Sequence, residues 1–423
     1  MKVLERLKVS FGIINTLGLV ILSICFIFIH FSSKPAQTQL TYLPLLLPLF
    51  FLLPIKKEIY RIEMKVLILT LCVFLSSIIS YGVQGDILTQ DFRSHWTYLL
   101  SIGVFAVLIQ SIISKNYFFG LLIISSFLVA YDVFVEFFGS GVRGLATHGK
   151  PIFFGNIALT TGLVSLILCL DKNNHWLIRS SLLLAAIAGV TGSIWSETRG
   201  GWIFLILFVI ALSYSHISNS KNKKRAVLLG ASSFFLLFVI ALPFKGAIEK
   251  RVSSGYSNMD NYFSDGIANT SVGLRFELWK VATKQFFESP LLGSARSGFL
   301  DKKIEMISKS EVIPLTRGFE HAHSDIFWTI GTKGLLGLFC LYGLYTFLLR
   351  FYYINRKRED VRIYALSGIT VVAGYMVYGL SESFFSMKLG IGYFIIINAI
   401  LIRLICTYRK DGEKPLVLFR GNQ

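Results

Sequence analysis

Residues 318–337 read GFEHAHSDIFWTIGTKGLLG, and the change of character inside that stretch sets the reading of the whole chain. Its first part is polar, with Glu320, His321, His323 and Asp325 inside six residues. From Ile326 it becomes an apolar run that carries Lys333 and the glycines Gly331, Gly334 and Gly337. An apolar run of about 20 residues crosses a bilayer as a helix. The two histidines therefore stand at the mouth of a transmembrane helix, where chemistry at a membrane surface becomes possible.

The same apolar pattern recurs along the chain. Of 423 residues, 54% are hydrophobic and 16% charged, which is too apolar for a soluble protein of this size. The apolar runs are long and continuous, unlike the short alternating segments of a transmembrane β-barrel. The fold class is all-α, a polytopic membrane protein with about 12 transmembrane helices. The spans fall at approximately 11–31, 38–54, 64–83, 96–114, 117–138, 152–170, 176–194, 200–216, 226–244, 323–350, 361–381 and 388–407. Pro44, Pro48 and Pro54 predict a kink in the second. The Lys-rich N-terminus lacks a small-residue cleavage site, so the first span reads as retained rather than as a signal peptide.

A net charge of +18 would suggest nucleic acid in a soluble protein. Here its placement explains it. With the N-terminus cytoplasmic, 24 of the 42 Lys and Arg fall in inner segments and 6 in short outer loops. That bias follows the positive-inside rule, places both termini in the cytoplasm, and calls for no nucleic-acid partner. The five cysteines lie in or beside apolar runs without CxxC spacing and read as packing residues.

Three parts result: residues 1–244 with spans 1–9, an extracytoplasmic segment 245–322, and residues 323–423 with spans 10–12 and a short cytoplasmic tail. Within the long segment, Ser253–Thr270 reads as a Gly/Ser/Asn-rich loop. Residues 271–287 read as an amphipathic helix with an apolar stripe of Leu274, Leu278 and Val281, and Asp301–Ser310 as a second short helix. The segment looks like a lid on the bundle, without a core of its own. No internal repeat is evident, which weighs against an inverted-repeat transporter.

This topology puts Arg199, Arg275, His321, His323, Glu382, Lys388, Arg143 and His148, together with Asp132 and Glu136, at the outer side, and no comparable group at the inner side. Each has a plainer reading: Arg199 snorkelling to the interface, Arg275 a surface charge, the histidines interfacial, Asp132 and Glu136 paired with nearby arginines. Lys333 reads as paired with a carboxylate, and the glycines around it as helix-packing positions. Ionisable groups at membrane depth nevertheless mark sites. Arginine forks bind phosphate oxygens bidentately, and a histidine of near-neutral pKa acts as a general base. Together they suit a donor with a phosphate or diphosphate leaving group and an acceptor hydroxyl. There is no P-loop, HExxH or outer DxD, hence no expected metal site or cofactor. The arginines would neutralise the charge that builds on the leaving group.

At these residues the chain resembles the lipopolysaccharide O-antigen ligases, within the O-antigen ligase/polymerase superfamily. His323-Ser324, nine residues and Gly334-Leu-Leu-Gly337 match the family's pattern at the start of a late span. Thr198-Arg199 matches its Thr-Arg motif, SVGLR with Arg275 its loop arginine, and Ser381-Glu382 with Lys388 its Ser-acidic and basic set, with Glu in place of Asp. The resemblance implies a GT-C-like glycosyltransferase in the inner membrane of a Gram-negative bacterium, with a periplasmic site. It would move a glycan from undecaprenyl diphosphate to lipid A–core without metal or nucleotide. Arg199 and Arg275 would hold the diphosphate and His323 would deprotonate or orient the acceptor hydroxyl. His321, Arg143, Glu382 and Lys388 are secondary candidates. The alternatives are an O-antigen polymerase of the same superfamily, a protein O-oligosaccharyltransferase, and a transporter of lipid-linked sugar.

Overall fold

A computed structural model of the chain describes residues 16–29, 58–140, 151–219, 245–409 and 416–417, apart from single positions, with a scatter of positions in 222–242. Thirteen helices are described. The first seven are α1 (Thr16–Ile27), α2 (Arg61–Val83), α3 (Leu100–Gln110, continuing a 3-10 stretch Gln90–Leu99), α4 (Lys115–Ser140), α5 (Pro151–Cys169), α6 (Trp176–Trp195) and α7 (Arg199–Asn219). Then come α8 (Lys245–Ser264), α9 (Gly273–Glu288), α10 (Ala295–Ser308), α11 (Asp325–Asn355), α12 (Arg362–Tyr378) and α13 (Lys388–Tyr408). The described β-structure is one two-residue antiparallel pairing, Glu58 with Val417 and Ile59 with Leu416.

Among the described residues, seven helical runs are long and apolar enough to cross a membrane, and α1 and part of α7 are shorter apolar helices. The fold is thus an all-α polytopic membrane protein. Ten of the expected spans have a helix at their place; 38–54 and nearly all of 226–244 lie outside the described residues.

The bundle is built around α13 and α5, whose spans are 94% and 89% buried, whereas those of α2, α4, α6 and α11 are half buried or less. Lipid tails are as apolar as leucine, so helices pair through small residues and polar ties. Gly162 of α5 and Gly189 of α6 face each other so closely that a Cβ on either would strike the other's backbone. Interior tyrosines are tied as well: Tyr378 Oη meets Thr160 Oγ1 at 3.1 Å, and Tyr393 Oη meets Thr161 Oγ1 at 2.9 Å.

Away from the histidines, Glu63 and Arg403, 340 residues apart, pair at 3.4 Å within the bundle. Two expectations need correction. Ser253–Thr270 is not simply a loop, because α8 runs to Ser264. Its serine hydroxyls donate back along the helix, Ser254 to Lys250 O and Ser257 to Ser253 O, and Arg251 ties it to Glu197. Nor is the long segment coreless. Leu278, Val281 and Ala282 of α9 pack with Phe299 and Met306 of α10, and with Val312, Ala322 and Trp328. The helix expected at 271–287 is α9; the one expected at 301–310 starts earlier, at Ala295.

The long segment also enters a span. Gly334 interrupts α11 with φ 60° and ψ −157°. The chain Pro290–Ser294 lies in the break. Leu335 N donates to Pro290 O at 2.8 Å, Leu336 N to Leu291 O at 3.0 Å, and Ser294 N to Gly331 O at 3.2 Å. The positive φ suits glycine, and a Cβ here would collide with the backbone of Leu291 and Gly293. Gly334 thus serves an insertion, where helix packing was expected. Lys333, 3% exposed, forms no ion pair among the described residues; the carboxylate acting on it is Asp325 of the same helix.

Candidate active site

The site is organised by the turn between α12 and α13. Asp325 N donates to Gly379 O at 2.7 Å, Ser324 N to Ser383 Oγ at 3.1 Å, and Ser324 Oγ to Gly379 O at 3.2 Å. In return Phe385 N donates to Asp325 Oδ1 at 2.9 Å. These bonds staple the first turn of α11 to residues 379–385 and explain why a serine follows His323. His323 itself has φ 48°, a left-handed conformation that costs a non-glycine residue free energy and recurs at functional sites.

Glu382 stands under both histidines. Its side chain is 4% exposed, with Oε2 3.1 Å from His323 Nδ1 and Oε1 3.7 Å from His321 Nδ1. Oε1 also accepts from Ser383 N at 3.0 Å. The imidazole rings are 4.0 Å apart, and His321 Nδ1 accepts the His323 backbone N–H at 3.2 Å. His321 Nδ1 is therefore an acceptor and carries no proton in this arrangement. His323 Nδ1 faces a carboxylate, so it carries the proton, which leaves the Nε2 lone pair available. Burial pushes the Glu382 carboxyl up, but the His323 hydrogen bond, the two imidazoles and the Ser383 amide hold it below its ordinary value.

Arginines gather beside this group. Arg275 of α9 donates from Nε to Ser381 O at 3.3 Å and from Nη1 to Ser271 O at 2.8 Å. Burial lowers its pKa and the Glu382 charge counteracts this. Arg199 opens α7 and donates to Ser254 Oγ at 3.4 Å, within Coulombic reach of Arg251 and Arg275. Gly200 lies against Ser381, whose hydroxyl would be 3.0 Å from a Cβ there. Arg251 donates from Nε to Glu197 Oε2 at 2.6 Å, and Glu197 has φ 52°.

The structure thus brings Arg199, Arg275, His321, His323 and Glu382 to one end of the bundle. Lys388 is the first residue of α13, six residues beyond Glu382. Arg143 and His148 lie outside the described residues. Asp132 and Glu136 are on α4. Arg251 escaped the sequence reading because it sits just ahead of the stretch read as a loop, where no element was expected. Its signal was the basic pair Lys250-Arg251 ahead of a serine-rich run.

His321, His323 and Glu382 each offer one ligand atom, all within 4.8 Å of one another. Imidazole nitrogen and carboxylate oxygen are donors that a divalent cation takes. Sequence reading found no metal site because Glu382 lies 59 residues beyond His323. As it stands, the trio is a carboxylate-oriented imidazole beside a cluster of guanidinium groups. Such a group can accept a proton from a hydroxyl and can neutralise a polyanionic leaving group.

Comparison with known proteins points the same way. The family described as O-Antigen ligase matches residues 182–342, which include Thr198-Arg199, Arg275 and His323 to Gly337. The chain is 25% identical over 296 residues to an Escherichia coli (strain K12) protein named O-antigen ligase, covering 68% of this chain and 65% of the relative. It is 26% identical over 244 residues to an uncharacterized Haemophilus influenzae protein, covering 56% of this chain and 61% of the relative. The chain thus spans just under two thirds of the length of these relatives. Through residues 182–342 the chain is similar to the O-antigen ligase family, and the distant Escherichia coli relative supports that likeness.

Proposed function

We propose that the protein is an O-antigen ligase, which transfers a glycan from undecaprenyl diphosphate to a sugar hydroxyl of lipid A–core. The observation that carries this reading is the His323–Glu382 hydrogen bond set beside Arg275 and Arg199. Glu382 holds the proton on His323 Nδ1, so that Nε2 takes the proton of the acceptor hydroxyl. That oxygen bonds to the anomeric carbon as the bond from carbon to the diphosphate oxygen breaks, and the configuration inverts. Arg199 and Arg275, with Arg251 behind them, hold the departing diphosphate and take up its charge. The arginines do the work of a divalent cation, so the step needs none. His321 orients the neighbouring histidine, and Arg143 and Lys388 are further candidates for phosphate contact.

The positive-inside bias supports a reading in which this end of the bundle faces the periplasm and both termini are cytoplasmic, and the O-antigen ligase reading puts the bundle in the inner membrane of a Gram-negative cell. The GT-C-like arrangement of a helical bundle with an extramembrane segment, 245–322, over the site follows from that orientation.

The test is transfer in vitro from purified lipid-linked glycan to lipid A–core, with EDTA present. Transfer to core at an undiminished rate supports ligation without metal. Inhibition by EDTA would instead assign a cation to His321, His323 and Glu382. Elongation of the lipid-linked glycan in place of transfer to core would make the protein a polymerase of the same superfamily. In cells, loss of the protein is expected to leave core without O-chain while lipid-linked polymer accumulates.

A further inference from the structure

A cavity adjoins the histidines. It is a cleft of about 420 Å³ whose wall includes Tyr81, His95, Arg296, Glu320, His321 and Trp328. These residues come from α2, the 3-10 stretch before α3, α10, the approach to α11 and the first turn of α11. The arginines of the candidate active site come from α7, α8 and α9 and do not line it. His321 belongs to both places, since its ring is 4.0 Å from that of His323.

The cleft wall carries polar groups that the protein's own contacts leave open. Trp328 is 4% exposed and its Nε1 has no hydrogen-bond partner among the described residues; His95, 1% exposed, has the Phe92 backbone near its ring but makes no well-formed hydrogen bond among the described residues. Buried polar groups in proteins are almost always satisfied, and the exceptions call for a ligand or water. At the rim Arg296 Nη2 meets Glu320 Oε2 at 3.0 Å, with Glu320 75% exposed, so donors and an acceptor face the opening together. Aromatic rings supply the rest of the wall, Tyr81 and His95 having centroids 5.0 Å apart. Aromatic faces with a few convergent polar groups suit a ring that is apolar on its faces and hydroxylated around its edge.

We propose that this cleft binds the acceptor: a pyranose whose hydroxyls reach the Arg296–Glu320 pair and the His95 and Trp328 nitrogens, and whose reacting hydroxyl is presented past His321 to His323. The inference rests on the transfer reading above. It also fits the geometry of that reaction. Inversion brings acceptor and leaving group to opposite faces of the anomeric carbon, and the cleft and the arginine group lie on different elements that meet at the histidines.

The experiment uses the purified full chain in detergent, with delipidated core oligosaccharide as the probe. Saturation-transfer NMR reads sugar binding without donor, and steady-state transfer reads KM for each substrate. Arg296→Gln and the exposed-rim variant Glu320→Ala are each expected to raise the acceptor KM about tenfold. Donor KM and kcat should stay within twofold. The NMR signal should be lost in Arg296→Gln and retained in Arg275→Lys. Unchanged acceptor KM in both variants, or a rise of donor KM alone, would overturn the assignment. Sugar binding that depends on Arg296, in a protein without transfer activity, would uphold the cleft and refute the transfer reading. Active transfer with no core-sugar saturation would do the reverse.

Discussion

Replacing Glu382 with glutamine is the most informative single change. The carboxylate serves two donors at once, His323 Nδ1–H at 3.1 Å and Ser383 N–H at 3.0 Å. An amide of the same shape has one oxygen. The backbone N–H cannot become an acceptor, so the amide oxygen turns to Ser383 and the NH2 group to His323. The imidazole then accepts at Nδ1 and carries its proton on Nε2, the tautomer that cannot act as base. Losing the charge alone replaces a charge-assisted hydrogen bond of about 3 kcal/mol by a neutral one of about 1 kcal/mol. At 3% exposure Glu382 is little screened, so that loss of about 2 kcal/mol corresponds to about 30-fold in kcat. The tautomer change adds to it, and wrong-tautomer variants of hydrolase triads fall on the order of 10⁴-fold. We expect a kcat loss between these bounds, with donor KM little changed, measured as transfer by purified protein. Glu382→Ala leaves the imidazole free to choose its tautomer and should lose less kcat than Glu382→Gln. A Glu382→Gln protein within threefold of the parent, alongside an inactive His323→Ala, would refute the orienting role.

Other perturbations follow from the same geometry. His323→Ala should lose on the order of 10²–10⁴-fold in transfer with normal membrane expression; near-parental transfer would remove it as base. Arg275→Lys keeps the charge but cannot reproduce the two-sided fork to Ser381 O and Ser271 O; a loss on the order of 10- to 100-fold is expected, read as kcat/KM for the donor. Because the Glu382 pKa is depressed, its contribution to stability is complete above the ordinary carboxyl value of 4.5 and is lost as pH falls through the lower folded value. Melting temperature should therefore drop on acidification below about 4.5, less so in Glu382→Gln. Gly334→Ala should destabilise by more than about 2 kcal/mol, from positive φ and a blocked Cβ position, whereas Gly343→Ala, with open space around it, should stabilise by about 0.5 kcal/mol; thermal melts of the two variants check this.

What sequence reveals here depends on how local the cause is. Apolar length is local, so the helices at 61–83, 151–169 and 388–408 lie close to where they were expected. The amphipathic stripe of α9 is local too, and so Arg275 was placed on a helix. Arg251 was missed because its helix is polar and is docked by a contact to Glu197, 54 residues away. The partnership of Glu382 with the histidines spans 59 residues, and that of Glu63 with Arg403 spans 340. No periodicity encodes such closures. Gly334 is the mixed case. Its position in the pattern was legible, whereas its cause was hidden in the distant stretch Pro290–Ser294.

That insertion bears on which parts of the chain could be exchanged as units. The amides of Leu335 and Leu336, within a membrane-crossing helix, end on carbonyls borrowed from Pro290 and Leu291. Swapping the whole 245–322 stretch for a short linker would strand those amides in an apolar interior, at a cost of several kcal/mol each. Segment and span are therefore inherited together, and length variation among related chains is expected on either side of 290–294 but not within it.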